Sequence, residues 1–359
     1  MIITNKFKEI KNFFSIIFIF TLFFKFLIIS NLYALSFKMT NIEVYEDFNL
    51  NFNKKKVFDK AFIAAFDQLT SKVVTSQDKK KIEKTNLKTI KSLIDSFNVN
   101  DEKFIENKYI AKFNVNFNKK NVYNFFETQN IFPSIPKKID LLILPILINN
   151  ESDEIVFISE NPVYKNWNNS VEKYHLLNYV MTTEEIEDIQ ILKKKINIIE
   201  EYNFDEIIEK NELKNYLILI INQSGNEINT LSKIKLNNNY KIINNNFSNI
   251  NVYEEKQLNK LISFLKTVYE DEWKNINLIN TSIKLPLTLY LSAKNYEKIK
   301  LFEKTLESLD LISEYMVSSF NSEEIIFKII YNGSPDKFFD EIKNKGLNIE
   351  KYKQNWKIQ

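Results

Sequence analysis

A stretch in the middle of the chain runs Ile139-Asp140-Leu141-Leu142-Ile143-Leu144-Pro145-Ile146-Leu147-Ile148. An apolar run of this length without alternation is typical of a β-strand that is buried on both faces. Because Pro145 has no N–H, we expect the strand to bend there or to lie at a sheet edge. A second apolar run at 216–221 and the helical patterns between the two predict a partly parallel α/β sheet.

The sequence on either side extends this sheet into a mixed-sheet α/β module over residues 139–280. Helices are predicted at about 170–210, and one of them begins with the capping box of Thr182 and Glu185. The turn Ser224-Gly225-Asn226 leads to strands near 228–236 and 239–243. A long amphipathic helix from about 253 to 273 completes the module.

Residues 35–132 predict a small α+β module. A strand at 42–45 precedes an amphipathic helix at 56–74, and a second helix fits the apolar spacing from Leu87 to Phe97. The segment 104–117 alternates like a strand, with a turn at Asn107-Lys108 ahead of its regular part. A short helix at 122–126 follows, and Pro133 and Pro136 mark a linker to the next module.

Residues 284–358 predict the order β-α-β-β-α-β of a ferredoxin-like module. Leu287, Leu289 and Leu291 alternate as a strand, and a helical stripe begins at Tyr296. Ser334-Pro335 has the form of a helix N-terminus, and Gly346 marks its end. The segment 347–358 is predicted as the final strand. The whole chain is therefore expected to be α+β / α/β in class.

The N-terminal segment 1–34 predicts export. Lys6, Lys8 and Lys11 precede a long apolar stretch at 13–29, and Ala34 fits a signal peptidase cleavage site. The stretch is long enough to span a bilayer, so a retained anchor is the alternative to cleavage after Ala34. The leading lysines place the body of the protein outside the inner membrane. We expect a periplasmic protein, or a periplasm-facing one with membrane contact only through this segment.

The charge of the chain argues against nucleic-acid binding. All 49 basic residues are lysine, and the net charge of +3 is accounted for by residues 1–34, so the remainder is neutral. A neutral chain without arginine lacks the basic surface and the bidentate donors that nucleic acids favour. The absence of cysteine excludes disulfides, thiolate metal sites and a Cys nucleophile.

Few residues are suited to catalysis or to cofactor binding. The three glycines are far apart, so no phosphate-binding loop is present, and no cofactor is expected. His175 is the only histidine, and we interpret it as a structural or surface residue on a helix rather than a metal ligand or base. The acidic clusters are interpreted as solvated helix ends and faces. They are Glu184-Glu185-Glu187-Asp188, Glu200-Glu201, Glu270-Asp271-Glu272 and Glu323-Glu324.

One aromatic segment is a candidate contact surface. Pro162, Tyr164 and Trp167 lie close together on a predicted loop, where exposed aromatic side chains often bind partners. The alternative is that Trp167 packs over the second module as part of its core.

Two segments resemble a known family. The helix Ala61-Phe62-Ile63-Ala64-Ala65-Phe66-Asp67-Gln68-Leu69-Thr70 and the strand Tyr109-Ile110-Ala111-Lys112-Phe113-Asn114-Val115-Asn116-Phe117 resemble the exported proteobacterial family called domain of unknown function 2066. A short helix, a Pro-containing linker and an apolar strand follow there, as they do here, and the C-terminal module also fits. The resemblance spans most of residues 36–358. It implies a periplasmic protein without an established activity and supplies no catalytic residues.

These observations predict a non-catalytic interaction or scaffold protein of the cell envelope, which binds other envelope proteins through sheet edges or the aromatic segment. One alternative is an envelope glycan hydrolase with two carboxylates in a cleft. Another is a small-ligand binding protein with an apolar pocket between the first two modules.

Overall fold

The computed structural model describes residues 36–169, 175–183, 185–352 and 355–359. The α+β class is confirmed, with 35% helix and 37% strand arranged in several mixed sheets. The chain divides into two compact units. The larger holds Phe37–Phe117 and Asn121–Thr281, and the smaller includes Asn118–Lys120 and Ser282–Gln359. No helix among the described residues is long and apolar enough to cross a membrane.

The N-terminal part of the chain contains a three-stranded sheet in the order β1-β3-β2. Its elements are β1 (Ser36–Asp47), α1 (Lys54–Val73), α2 (Ser76–Ile82), α3 (Leu87–Leu93), β2 (Ile94–Ile105), β3 (Lys108–Asn118) and α4 (Lys119–Thr128). The predicted alternation of β3 is confirmed, since every second residue from Tyr109 to Phe117 is buried in one core with α1. The hairpin turn uses Glu106 and Asn107, both in the left-handed region.

One predicted boundary in this part is wrong. The helix that begins at Leu87 ends at Leu93 rather than at Phe97, and Phe97 lies on β2. Pairing of β2 with β3 overrides the helical spacing, because most residues from Ile94 onward gain a ladder partner there. The ring of Phe97 packs against Phe62 of α1 at 5.0 Å between centroids.

The middle of the chain forms a six-stranded mixed sheet in the order β5-β4-β7-β8-β9, with β6 also paired to β4. Its strands are β4 (Ile139–Asn149), β5 (Glu154–Val156), β6 (Leu177–Met181), β7 (Tyr216–Ser224), β8 (Glu227–Leu236) and β9 (Asn239–Ser248). Its helices are α5 (Pro162–Asn166), α6 (Ile186–Lys194), α7 (Asp205–Glu209) and α8 (Glu255–Ile276), and a 3₁₀ turn covers Ile196–Ile198.

The prediction that 139–148 is a strand buried on both faces is confirmed. Leu141, Ile143 and Leu147 pack into one core with α5 and α8. The alternate residues, such as Leu142 and Leu144, pack into a second core with α6 and α7. Both faces of β4 are therefore covered by helices, as a continuous apolar run requires.

The predicted helices at 170–210 are only partly correct. Leu177–Met181 is a strand, since it pairs in parallel with the first half of β4. The predicted capping box is wrong: α6 begins at Ile186, and its N-cap residue Glu185 makes no side-chain cap. Thr182 instead continues from β6 and donates its N–H to the carbonyl oxygen of Ile143 at 3.2 Å.

The predicted linker is held at several points by its neighbours. The N–H of Ser134 donates to the carbonyl oxygen of Val73 at 2.6 Å, and the N–H of Ile135 donates to that of Asn277 at 3.0 Å. The carbonyl oxygen of Pro133 accepts from the N–H of Ile279 at 2.7 Å. These bonds tie the ends of α1 and α8 together, and the first two predicted modules lie within one compact unit.

The smaller unit has a five-stranded sheet in the order β11-β12-β10-β14-β13. Its elements are β10 (Leu285–Ser292), α9 (Tyr296–Ser308), β11 (Ile312–Phe320), β12 (Glu324–Tyr331), α10 (Pro335–Asn344), β13 (Ile349–Tyr352) and β14 (Asn355–Ile358). Ser334 caps α10, and Gly346 after it adopts φ 82°, as predicted. The predicted last strand is in fact two antiparallel strands, and β14 pairs in parallel with β10.

Candidate functional site

The middle sheet has a gap along one edge of β4. β6 pairs with residues 139–143 of β4, and β5 pairs with residues 147–149, while β7 covers the opposite edge. Pro145 lies in the gap between β6 and β5, so its missing N–H leaves no ladder bond unmade. The proline is therefore tolerated in a central strand because its own stretch of edge has no strand beside it.

Asn161 closes this gap from the side. It is fully buried, and its Nδ2 donates to the carbonyl oxygen of Pro145 at 3.1 Å. Its Oδ1 accepts from the N–H groups of Val163 at 2.9 Å and Tyr164 at 3.3 Å, which caps α5. The hydroxyl of Tyr164 donates to the carbonyl oxygen of Thr182 at 2.7 Å. The side chain of Asn161 thus gives the Pro145 carbonyl the hydrogen bond that a neighbouring strand would supply, and it also caps the first turn of α5.

A cleft opens beside the gap, between β4 and helices α6 and α7. It encloses about 60 Å³. Its walls are mainly apolar and include Leu144, Ile146, Ile155, Ile189, Leu192 and Ile207. Its polar side chains belong to Thr182, Thr183, Glu185, Asp188, Lys210 and Asn211.

The charged groups of the cleft are paired with one another. Lys210 Nζ lies 2.9 Å from a carboxylate oxygen of Glu185 and 2.6 Å from one of Asp188. Hydrogen bonds to Asp188 and then to Glu185 raise the pKa of Lys210, so its ammonium stays charged across the usual pH range. One ammonium is shared by two carboxylates, which leaves the charged lining of the cleft with a net charge of about −1.

Among the described residues that line the cleft, Thr182 is the one whose buried side-chain hydroxyl has no hydrogen-bond partner. Thr182 is 2% exposed, and its Oγ1 has no hydrogen-bond partner among the described residues. Its backbone is fixed at both ends by Ile143 and Tyr164. A buried hydroxyl without a partner costs free energy, so this position is unusual in a well-packed core.

A second, wider groove shares Ile155, Val156 and Phe157 with the cleft and holds about 580 Å³. Its polar side chains include those of the exposed residues Ser152, Asp153 and Glu154. It is an open depression on the surface.

The aromatic segment predicted to contact a partner is largely part of the core. Trp167 is fully buried and packs against Tyr179 and Tyr269, at 5.4 Å and 6.4 Å between ring centroids. Pro162 and Tyr164 are half-buried. This arrangement matches the packing alternative, because a buried indole offers no surface to a partner. His175 is half-buried and lies just before β6, not on a helix.

The acidic clusters have mixed environments. Glu270 is buried, contrary to the prediction of a solvated face, and its Oε1 accepts from the N–H groups of Leu176 and Leu177 at 2.9 and 2.8 Å. Glu200 accepts from Asn222 at 3.1 Å. The amides of Glu323 and Glu324 donate to Asn321 in an exposed turn. Glu184 and Ala34 lie outside the described residues.

Among the described residues, no three His, Asp or Glu side chains are grouped as metal ligands. No family model matches the chain, and no curated protein matches it. The resemblance to domain of unknown function 2066 therefore stays a prediction.

Three features were not predicted from the sequence. They are the gap along the edge of β4, the hydrogen bond of Asn161 to Pro145, and the cleft. Pro145 was the available signal, since a proline inside a buried strand requires an edge without a ladder bond. Asn161 before Pro162 was a second signal, because Asn followed by Pro is a common helix start.

Proposed function

We propose that this protein is a non-catalytic interaction module of the bacterial periplasm. It accepts an extended segment of another envelope protein as an additional strand beside β9. The signal-like segment 1–34 supports the compartment. The outer edge of β9, beside which no strand lies among the described residues, supports the mode of binding.

The edge of β9 is long and regular. All ten residues from Asn239 to Ser248 pair with β8 without a bulge. The two-residue loop at 237–238 makes Leu236 and Asn239 a hydrogen-bonded pair, so the bonded pairs fall on odd-numbered residues of β9. The backbone amides of Tyr240, Ile242, Asn244 and Asn246 therefore point away from β8, towards an incoming strand.

The usual protections of a sheet edge are nearly absent from β9. Edges are commonly blunted by prolines, bulges or charged side chains. β9 has no proline, and its one charge, Lys241, is paired with Glu272 at 2.6 Å. By contrast, β2 and β11 are edge strands whose registers shift at irregularities.

The side chains of β9 define the chemistry of the partner. Tyr240 and Ile242 are each 53% exposed, while Ile243 and Phe247 pack against the core beneath α8. An incoming strand would place alternate side chains beside Tyr240 and Ile242. We expect an extended, uncharged segment with apolar residues at alternate positions.

The hydrolase alternative has less support. The two carboxylates in the cleft, Glu185 and Asp188, are both bound by Lys210. A glycosidase needs one carboxyl group that holds a proton and a second that faces the substrate. The ammonium of Lys210 lies between the two carboxylates and is hydrogen-bonded to both, so neither is left facing an open substrate position.

The experiment is site-specific photo-crosslinking in intact cells, with a photoreactive amino acid in place of Tyr240 and mass spectrometry of the products. The expected result is one or two envelope proteins linked through short extended segments. In this background, Asn244→Pro removes an N–H that points away from β8, whereas Asn244→Ala keeps it. The crosslinks should be lost with Asn244→Pro and kept with Asn244→Ala.

Circular dichroism of both variants controls for folding. Crosslinks that survive in a folded Asn244→Pro protein would reject the β9 edge as the binding surface. Recovery of the chain from the cytoplasm, without cleavage or membrane association, would reject the periplasmic assignment.

A further inference from the structure

On one face of the middle sheet, the helix α8 lies along the edge strand β9. The ring of Phe264 on α8 packs against that of Phe247 on β9, with 5.2 Å between the ring centroids. Further along both elements, the ammonium of Lys241 on β9 lies 2.6 Å from a carboxylate oxygen of Glu272 on α8. These two contacts place one side of α8 beside β9 from residue 241 to residue 247.

The side chains between these two contacts are apolar and incompletely buried. Phe264, Val268 and Glu272 follow one another at intervals of four residues, so they form one row along α8. Phe264 is 48% exposed, and Val268 is half-buried. On β9, the half-buried Ile243 and Phe247 point to the same face, towards α8. We call the surface formed by Phe264, Val268, Ile243 and Phe247 the α8–β9 surface.

A strand added beside β9 would lie next to this surface. Neighbouring strands are about 4.8 Å apart, and side chains directly opposite one another point to the same face of the sheet. A partner residue opposite Asn245 or Phe247 would therefore point its side chain towards α8, beside the ring of Phe264. Burial of apolar area between such a side chain and Phe264 favours binding, and aromatic pairs gain further from edge-to-face contact.

We propose that the segment bound at β9 carries one large apolar side chain on its α8-facing side, opposite Asn245 or Phe247, and that this side chain packs against Phe264. The inference rests on the proposed strand addition, which supplies the backbone pairing. Backbone hydrogen bonds accept almost any extended sequence, whereas side-chain contacts select among sequences. The α8–β9 surface is thus the part of the site that distinguishes one partner segment from another.

The two ends of β9 present apolar side chains on opposite faces, which requires a specific pattern in the bound segment. Tyr240 and Ile242, near the start of β9, point away from α8, whereas Phe247, near its end, points towards α8. Partner residues opposite Tyr240 and opposite Asn245 or Phe247 are five or seven positions apart. In a regular amphipathic strand, by contrast, the apolar residues are an even number of positions apart.

The test uses a short-reach photoreactive amino acid in intact cells, in place of Phe264 in one variant and of Tyr240 in another. Mass spectrometry then maps the linked residue of the partner. Both positions should link to the same segment, at residues five or seven positions apart. Tyr296, which is 71% exposed and belongs to the smaller unit, is the control position and should give no link to this segment.

Two variants of Phe264 test the contact itself, with the photoreactive amino acid at Tyr240. Phe264→Ala removes the ring and should lower the crosslinking yield about tenfold. Phe264→Leu keeps a large apolar side chain, and its yield should stay within about threefold of the original. Leu301→Ala is the control, because Leu301 is 45% exposed in the smaller unit and its removal should leave the yield unchanged. Circular dichroism shows whether each variant is folded.

The outcomes separate this inference from the strand addition on which it rests. Links from Tyr240 without links from Phe264 would keep strand addition and reject the contact with α8. An even separation between the two linked residues would place both side chains on one face and reject it as well. An unchanged yield in folded Phe264→Ala would have the same meaning. Absence of links from both positions would reject strand addition and, with it, this inference.

Discussion

The ammonium of Lys274, near the end of α8, lies 2.7 Å from the carbonyl oxygen of Ser71 in the last turn of α1. It also donates to the carbonyl oxygen of Val74 at 3.0 Å. The last carbonyls of a helix lack intrahelical partners and carry partial negative charge. A buried ammonium donates the missing hydrogen bonds and offsets the negative charge. Desolvation lowers the pKa of Lys274, while the nearby charges of Glu270 and Asp271 raise it. A long helix of the middle sheet thus caps a helix of the three-stranded sheet.

The first prediction concerns this cap. Lys274→Met keeps the aliphatic stem but leaves the carbonyls of Ser71 and Val74 without their donor. We expect a loss of about 2 kcal/mol in the free energy of unfolding. Lys260→Met is the control, because Lys260 is exposed on the same helix and should change stability by less than about 0.5 kcal/mol. Urea denaturation of both variants measures the difference, and equal effects would exclude a capping role for Lys274.

Asp271, one turn before Lys274 on α8, contacts the start of a helix rather than the end of one. Asp271 Oδ1 accepts from the N–H of Ser76 at 2.8 Å, and its Oδ2 accepts from the hydroxyl of Ser76. Ser76 begins α2, where unpaired N–H groups and the positive end of the helix favour an acidic partner. Asp271 and Lys274 therefore complement opposite ends of two helices.

The second prediction is a double-mutant cycle on this pair. Asp271→Ala should cost about 1–2 kcal/mol, as the loss of a helix cap does. Ser76→Ala should cost less, since its N–H still binds Asp271. The double variant should fall short of the sum by about 0.5–1 kcal/mol. Additive effects, measured by urea denaturation, would show that the two side chains do not interact in solution.

The sequence of α8 predicted the helix itself but not the partners of its acidic residues. Its amphipathic pattern predicted a helix, and the helix is present. Glu270, Asp271 and Glu272 looked like one solvated cluster, but successive residues point about 100° apart around a helix. They consequently reach β6, α2 and β9, three partners that are distant in sequence.

The sequence predicted a helix where β6 lies, for a related reason. Leu177–Met181 has five residues, too few to distinguish strand from helix by periodicity. The strand is defined by its parallel pairing with β4, a contact between segments far apart in the chain. Longer elements with clear patterns of their own, such as β3 and α10, needed no such information.

The third prediction concerns Trp167, whose role the sequence left open between a partner anchor and a core residue. Trp167→Ala should destabilise the protein by about 3–5 kcal/mol, since the indole is fully buried against Tyr179 and Tyr269. Tyr296→Ala is the control, because Tyr296 is 71% exposed and should have little effect. Thermal or urea unfolding measures both. A Trp167→Ala protein of full stability would instead support an exposed binding role.

The fourth prediction is a pH dependence that arises from Lys119, which belongs to the smaller unit. Lys119 is 6% exposed, and its Nζ donates to the carbonyl oxygen of Asp310 at 2.6 Å. Desolvation lowers the pKa of Lys119 to about 8, with the charge of Asp310 acting in the opposite direction. The folded protein therefore releases this proton at a lower pH than the unfolded chain does.

Between pH 8 and about 10.5, the unfolded chain holds a proton at Lys119 that the folded protein has lost. The contribution of Lys119 to stability should thus rise with pH across this window, by at most about 1.4 kcal/mol per pH unit, and be constant below it. The measurement is the free energy of unfolding of the original chain and of Lys119→Met from pH 7 to 10. Because other lysines and tyrosines titrate in both proteins, the difference between them isolates Lys119. A difference that does not change with pH would show that Lys119 titrates as an exposed lysine does, and is solvated in solution.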